Sequence, residues 1–225
     1  MKQLSSRPGF AVGGTYSGLY LFRIDENRRL EAVRKIEGFS ASSRFFEEDR
    51  QGRIWVGQYY KGLYQLILSE DLTNATARQV SPRPDLPIDE QIILSRVADG
   101  LYLATGTGLY RLDPVNGVIA KAEVFSDPIG EQAVFLFGRD RKNHVHVVAE
   151  NTVGFFKQIS AGNYLFTPSS LYQLRYHLNN DLLHVSVNTD AGVLFAANEG
   201  FIQYDPELEN PLKARQPFVV SRVFS

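Results

Sequence analysis

Five copies of one pattern restrict the fold of this 225-residue chain more than any other feature of its sequence. In each copy an apolar run is followed by a short turn, a glycine and a second apolar or aromatic run. The glycines lie at spacings of 44, 46, 46 and 46 residues, and they are Gly18, Gly62, Gly108, Gly154 and Gly200. A β-rich period of about 45 residues is typical of propeller blades, and it does not fit helical or leucine-rich repeats.

Each copy supplies about four segments with the composition of β-strands. Turns that contain aspartate precede the glycine-centred hairpin in four copies, at residues 49–52, 99–100, 140–143 and 190–192. Aspartate bonds its own backbone and glycine accepts a positive φ, so both favour a chain reversal. Strand-like runs lie upstream of these turns, at residues 44–46, 92–97, 133–137 and 183–187. Weaker runs follow the glycine strands, at residues 32–36, 77–80 and 122–125.

The pattern predicts an all-β fold, a β-propeller with about five four-stranded blades. The repeats occupy the whole chain, so we predict a single domain over residues 1–225. The repeats cover approximately residues 1–40, 41–88, 89–130, 131–180 and 181–225.

The two ends of the chain differ from the central repeats. Residues 1–9 are polar and turn-like, so the first repeat lacks an upstream strand before the run that begins at Phe10. Residues 218–223 form a surplus strand-like run that resembles residues 92–97. This run either completes the first blade beside the Phe10 strand and closes the ring, which leaves no unpaired edge, or begins a further domain. We favour closure, because the missing and the surplus strand are of one kind.

The fourth repeat carries an insert at residues 167–177. Its composition predicts one or two helical turns, with Pro168 near the start. Loops on a rigid scaffold often carry function, so the insert is either a chain-specific functional segment or a covering flap without a ligand. We favour the flap.

Composition excludes several classes of protein. The chain has 24 Lys and Arg against 25 Asp and Glu, and a nucleic-acid surface would need a basic excess. It has no run of 18 apolar residues to span a membrane and no visible signal peptide. It also lacks cysteine, which excludes disulfides and thiolate chemistry.

The predicted ligand-binding residues lie at the turns between the second and third strands of two repeats. They are Tyr16, Tyr59, Tyr60 and Lys61. These aromatic and basic side chains are suited to stack on a sugar ring or to bind a peptide. The alternative is that Tyr60 and its equivalents only cover the glycine turns, and the sequence does not decide between the two.

A glycoside-active enzyme needs two facing carboxyl groups about 5–10 Å apart, and several acidic residues are candidates for this role. The candidates are Glu47, Glu48, Asp49, Asp99, Asp140 and Asp190. Most of them recur at the same turn in several repeats, which indicates turn formation, so we predict no catalytic residue.

Two further motifs do not indicate a cofactor or a metal. Residues 13–18 are rich in glycine, but no Gly-Lys-Ser/Thr sequence or helix follows, so they predict a turn. His144 and His146 are two residues apart on one side of a strand, but the sequence places no third ligand beside them. We expect two half-exposed histidines and no metal.

The hairpin at residues 48–57 reads Glu-Asp-Arg-Gln-Gly-Arg-Ile-Trp-Val-Gly, and residues 61–64 read Lys-Gly-Leu-Tyr. Together they resemble the repeat of the two-component regulator propeller family. In that family a D-x-x-G-x-I/L-W-I/V-G turn and strand precede G-G/K-L-Y/F. Residues 101–114 and 200–206 are similar, and the resemblance covers nearly the whole chain.

The resemblance implies an extracytoplasmic sensor region of a bacterial regulator. In such proteins the propellers precede a tyrosine-rich sandwich domain, a membrane helix and a kinase or helix-turn-helix output domain. Residues 13–22 and 37–62 are most similar to the helix-turn-helix branch, and residues 218–223 would then resemble the entry into the sandwich domain. Sensors of this family commonly have two propellers of seven blades each, so five repeats are a departure.

We therefore expect a periplasmic, non-catalytic sensing or interaction domain that responds to a glycan or related small molecule. Its expected protein partners are neighbouring sensor domains or a dimer partner, and we expect no nucleic acid and no direct membrane insertion. The alternatives are a glycoside-active five-bladed enzyme and a purely structural interaction module.

Overall fold

The computed structural model describes residues 1–58, 61–80, 92–97, 100–140, 143–178, 185–189 and 192–204. These residues form five antiparallel sheets, four with four strands and one with three. Within each sheet the strands follow one another as a meander, and each sheet lies within one of the predicted repeats. The all-β prediction is confirmed, and successive four-stranded meanders make the fold propeller-like.

The strands of the first three sheets have the following bounds. The first sheet contains β1 (Lys2–Gln3), β2 (Phe10–Thr15), β3 (Gly18–Ile24) and β4 (Leu30–Ile36). The second contains β5 (Phe45–Glu48), β6 (Ile54–Gln58), β7 (Gly62–Leu68) and β8 (Ala75–Gln79). The third contains β9 (Ile93–Val97), β10 (Gly100–Thr105), β11 (Gly108–Leu112) and β12 (Ile119–Lys121).

One short α-helix and one 3₁₀ helix accompany the last two sheets. The α-helix is α1 (Glu123–Ser126), and the 3₁₀ helix spans Ser170–His177. The fourth sheet contains β13 (Val134–Arg139), β14 (Val145–Ala149), β15 (Val153–Ser160) and β16 (Asn163–Pro168). The fifth contains β17 (Val185–Thr189), β18 (Gly192–Ala197) and β19 (Gly200–Tyr204).

Residues 1–120 form one compact unit, which contains the first three sheets up to Ala120. Its packing is clearest at β6, where Ile54, Trp55 and Val56 are all fully buried. Ile54 and Val56 pack with first-sheet residues such as Val12, whereas Trp55 packs with third-sheet residues such as Leu103. Side chains alternate between the two faces of a strand, so β6 contacts both neighbouring sheets. This burial on both faces explains its uninterrupted apolar sequence.

Residues 121–225 form the second compact unit, which contains the fourth and fifth sheets. Phe155 of β15 packs in one core cluster with Phe195 of β18 and Tyr204 of β19. The insert contacts both sheets, because the backbone amide of Asn198 donates to the carbonyl of His177 at 2.9 Å and Arg175 reaches β14. The predicted helical turns are therefore confirmed in the 3₁₀ helix.

The recurring glycines have steric explanations that differ between the repeats. Gly18 has a φ of +115°, and a Cβ there would lie 2.2 Å from the carbonyl oxygen of Phe39. Gly154 has no positive φ, but a Cβ would lie 2.6 Å from the carbonyl oxygen of Thr167 and 2.7 Å from the Phe166 ring. The first glycine is fixed by backbone conformation as well as space, and the second by space alone.

The start of the chain contradicts one prediction. The first sheet does have an upstream strand, because Lys2 pairs with Val12 and Gln3 pairs with Ala11. The place beside β2 that residues 218–223 were expected to fill is therefore occupied by β1. Residues 218–223 themselves lie outside the described residues.

The fourth strand of the third sheet is also shifted from its expected position. Residues 122–125 were predicted as this strand, but β12 ends at Lys121 and α1 follows. The helical turn buries Phe125, whose ring lies 5.1 Å from that of Phe137 and 5.0 Å from that of Phe156. Packing of this ring against the fourth sheet outweighs the weak strand tendency of the segment.

Candidate functional site

The turn between β2 and β3 is closed by its own hydroxyl groups, and Tyr16 projects from it. Thr15 Oγ1 donates to the carbonyl of Gly18 at 3.0 Å and accepts from the backbone amide of Ser17 at 3.2 Å. The third sheet closes the same turn with Thr105 and carries Gly106 in place of Tyr16. The tyrosine side chain is therefore not needed to form the turn. It is 94% exposed, so its ring is accessible to a ligand.

Lys61 lies at the corresponding turn of the second sheet and is also exposed. Its carbonyl accepts a hydrogen bond from Gln79 Nε2 at 2.8 Å, which fixes the turn to β8, the last strand of this sheet. Within the described parts of the chain, no hydrogen bond or ring contact joins Lys61 to Tyr16. Tyr59 and Tyr60 lie outside the described residues. The four-residue ligand site thus stays a prediction.

Glu47 joins the first strands of three sheets. Its carboxylate, on β5, forms an ion pair with Lys2 Nζ on β1. On β9, Arg96 donates its backbone amide to Glu47 Oε1 at 3.2 Å and places Nε 4.0 Å from Oε2. Glu47 is only 6% exposed, and a buried carboxylate of this kind requires such partners. The sequence indicated the acid but not these two cations.

The neighbouring acid, Glu48, fixes the N-terminal segment, by which we mean residues 2–6. Its carboxylate accepts the backbone amides of Ser5 and, at 3.0 Å, of Ser6. A cavity of about 60 Å³ lies beside both acids, lined also by Phe46, Ile54 and Arg96. Ligand pockets are usually about 300–1,000 Å³, so this cavity has room for a few waters and not for a sugar.

Asp49 organises the turn between β5 and β6. Its Oδ1 accepts the backbone amides of Gln51 at 2.8 Å and Arg53 at 3.0 Å. Its Oδ2 accepts Arg53 Nε at 2.7 Å and Trp55 Nε1 at 2.8 Å. All four bonds are donated to the carboxylate oxygens, and the residue is 4% exposed. This carboxylate is a structural acceptor and is not positioned as a catalytic acid.

Asp140 occupies the same place in the fourth sheet, with histidines as its partners. Its Oδ1 accepts the backbone amide of His144 at 2.9 Å, and its Oδ2 lies 2.9 Å from His146 Nε2. His144 Nδ1 lies 3.3 Å from the same Oδ2, but this buried nitrogen has no hydrogen-bond partner among the described residues. The two histidines are 8% and 1% exposed. The expectation of half-exposed histidines is therefore wrong, because Asp140 gives them a buried acceptor.

Burial and charge oppose each other in this cluster. Burial alone would raise the pKa of Asp140, but the hydrogen bond and charge of His146, with smaller effects from His144, hold that pKa below its ordinary value. Burial lowers the pKa of His144; the Asp140 charge opposes this shift, whereas His146 and Lys157 add to it. Asp140 is thus ionised and His144 neutral near pH 7. In the described parts of the chain no group of three or more acidic or histidine side chains is arranged to hold a metal.

The sequence contains a signal for this cluster that composition does not reveal. Asp140, His144 and His146 have the spacing of Asp49, Arg53 and Trp55, namely i, i+4 and i+6. Aligning the repeats on the aspartate, and not on the glycine, would have placed both histidines on its carboxylate. The remaining acids of the prediction, Asp99 and Asp190, lie outside the described residues.

Comparison with solved structures finds the same fold in extracellular domains of bacterial regulators. One match is the extracellular domain of a protein described as a hybrid two-component system, BT3049 of B. thetaiotaomicron, with a TM-score of 0.54 and 11% identity over 89% of this chain. A second is the extracellular domain of BT4673 of B. thetaiotaomicron, with a TM-score of 0.51 and 15% identity over 86% of this chain. Another structure of BT4673, there described as a one-component system, gives a TM-score of 0.50 and 13% identity.

This chain spans about a quarter of those neighbours, since it covers 25% of each. No protein-family model matches the chain, and no curated protein does either. At these identities the likeness concerns the fold, and at that level it confirms the resemblance inferred from the repeats. The class defined here is a propeller-like all-β domain with the fold of extracellular domains of two-component systems. No helix in the described residues has the length and apolar character needed to cross a membrane.

Proposed function

We propose that this chain is a non-catalytic sensing or interaction β-propeller, with five blades, from the extracytoplasmic part of a bacterial signalling protein. The observation that carries the proposal is the fold shared with extracellular domains of two-component systems. Function does not follow from fold alone, so the chemistry of the described acids is the second support.

The described acids of the sequence prediction are all engaged in structural bonds. Glu47 joins strands of different sheets, and Glu48 binds the N-terminal segment. Asp49 and Asp140 each bind a turn and the strand that follows it. A glycoside hydrolase needs one carboxyl group to donate a proton and a second to face it across the substrate. Carboxylates that already accept several hydrogen bonds are poorly suited to either role. This engagement favours a binding domain over an enzyme.

We propose a glycan or related small molecule as the ligand, bound at the turns that carry Tyr16 and Lys61, with Tyr59 and Tyr60 completing the site. The accessible ring of Tyr16 supports this assignment, because an aromatic face stacks on the apolar face of a sugar. Neighbouring sensor domains or a dimer partner of the parent regulator would receive the signal.

The test is binding of the purified chain to a panel of oligosaccharides, measured by calorimetry. Tyr16→Ala and Lys61→Ala should each weaken binding of a panel member by up to about tenfold, as expected for the loss of one stacking or charged contact. Tyr176→Ala is the matched control, because Tyr176 is 90% exposed on the insert, away from both turns in sequence.

Three results would contradict the proposal. Absence of binding to every sugar on the panel would favour the structural interaction module. Release of reducing ends from a bound oligosaccharide would instead establish a glycoside-active enzyme. Equal loss of affinity in all three variants would show that the turns do not form the site.

A further inference from the structure

The fourth sheet differs from the second in the chemistry that surrounds its turn aspartate. In the second sheet Asp49 binds Arg53 and Trp55, neither of which changes its charge near neutral pH. In the fourth sheet the same two positions are held by His144 and His146. Histidine is the side chain that titrates between about pH 5 and 8. The two sheets thus share a turn but differ in their response to protons.

The histidines lie where the fourth sheet meets the fifth. The ring of His146 is 5.9 Å from that of Phe195 on β18 and 6.4 Å from that of Tyr204 on β19. The ring of His144 is 5.3 Å from that of Phe155, which belongs to the core cluster that contains both sheets. A change in the position of either imidazole therefore reaches the packing between the sheets.

The surroundings of His144 do not accommodate a second charge well. Both oxygens of Asp140 already accept hydrogen bonds, one from the His144 amide and one from His146. Lys157 on β15 adds a repulsive positive charge, and among the described residues of the fifth sheet Tyr204 is a titratable group that faces the cluster. His144 Nδ1 has no hydrogen-bond partner among the described residues and lies within a buried environment. A proton there would create a buried cation with a poorly directed bond to Asp140, the acid that lies beside it among the described residues.

We propose that Asp140, His144 and His146 form a proton-sensitive joint, in which protonation of His144 at mildly acidic pH loosens the packing of the fourth sheet against the fifth. The direction follows from linkage. A histidine whose pKa is lowered by folding binds its proton more tightly in the unfolded or opened state. Its contribution to stability is complete above the ordinary histidine pKa of about 6.5 and is lost as the pH falls below that value.

Amide hydrogen exchange, read by mass spectrometry on peptides from each sheet, tests this joint. After correction for the intrinsic exchange rate, opening of β14, β18 and β19 should rise by up to about fivefold between pH 6.5 and 5.5, the limit for one proton taken up by an opened-state histidine with a pKa of about 6.5. Peptides from β6 and β7, which pack around the Asp49 turn, should change little over the same range.

Variants separate His144 from the other histidines. His144→Asn keeps a polar group near the Nδ1 position but does not titrate, and it should abolish the pH dependence in β14, β18 and β19. His177→Asn is the matched control, because His177 is an exposed histidine of the same unit, and the dependence should remain. An NMR titration of the wild-type histidine Hε1 signals gives a readout that needs no variant.

Three results would overturn the joint. Equal acid sensitivity in β6 and β14 would show a global effect. Persistence of the dependence in His144→Asn would assign it elsewhere. If the Hε1 signal of His144 titrates at or above about pH 6.5, folding does not lower the pKa of His144, and the linkage on which the joint depends is absent.

Discussion

Asp49→Ala should markedly destabilise the unit formed by residues 1–120. The carboxylate is buried and accepts four hydrogen bonds, of which the bond from Trp55 Nε1 at 2.8 Å is the most consequential. Trp55 is fully buried, so water does not replace the lost acceptor. The backbone amide of Gln51 lies at an exposed residue, where water takes over.

The magnitude follows from these contacts. A buried N–H donor left without an acceptor costs about 1–3 kcal/mol. The Arg53 side chain is 20% exposed, so loss of its ion pair adds only about 0–1 kcal/mol. The expected decrease in the free energy of unfolding is about 1–4 kcal/mol, a large part of the roughly 5–15 kcal/mol typical of a folded domain. With a urea dependence of about 2 kcal/mol/M, in the middle of the range for small domains, the midpoint should fall by about 0.5–2 M.

The assay is built into the chain. Trp55 is the only tryptophan, so its fluorescence during urea unfolding reports on the unit that contains Asp49. Asp71→Ala is the matched control, because Asp71 also accepts several hydrogen bonds, including one from Ser69 Oγ at 2.6 Å. The Ser69 hydrogen bond, with those of Thr73, lowers the pKa of Asp71 to about 2, but this carboxylate is exposed and satisfies no buried donor.

Asp71→Ala should therefore leave the midpoint close to that of the wild type. If Asp49→Ala behaves like Asp71→Ala, the buried Trp55 donor does not carry the energy assigned to it. The reasoning about both aspartate turns would then fail.

Two further predictions concern the Gly18 backbone and the N-terminal segment. In urea unfolding, Gly18→Ala should destabilise the first sheet by several kcal/mol. About 1–3 kcal/mol of this comes from backbone strain, and the rest comes from the clash with the Phe39 carbonyl. Gly106→Ala is the control and should be nearly neutral, because a Cβ there meets no atom within 4 Å. Glu47→Gln removes the charge that pairs with Lys2, so amide exchange in the N-terminal segment should rise and become less sensitive to salt. Unchanged exchange would mean that β1 pairing and the bonds to Glu48 retain the segment.

The sequence predicted the strands where local chemistry is strong and failed where partners are distant. The recurring glycines and the Ile54–Trp55–Val56 strand were predicted correctly. Glycine marks a position that tolerates a positive φ, and an uninterrupted apolar run marks a strand that is buried on both faces. Strand β1 was missed, since Lys2 and Gln3 are polar and owe their position to the edge of β2 and to Glu47.

The candidate site divides in the same way. Tyr16 and Lys61 were placed on exposed turns, which their spacing from the glycines made predictable. The burial of the histidines was not predicted, because it depends on a carboxylate four and six residues upstream and on rings of the next sheet. Nor does a weak strand run reveal that Phe125 will fold into a helical turn.

The two carboxylate oxygens of each turn aspartate bind different kinds of donor. In Asp49 and Asp140 alike, Oδ1 receives backbone amides and thereby sets the path of the chain, whereas Oδ2 receives side chains from the following strand. Oδ1 thus determines the geometry of the turn, and Oδ2 binds the side chains that can differ from one sheet to another. A repeat can exchange arginine and tryptophan for two histidines without altering its turn. Such a turn allows one sheet to carry side chains that differ in chemistry from those of its neighbours.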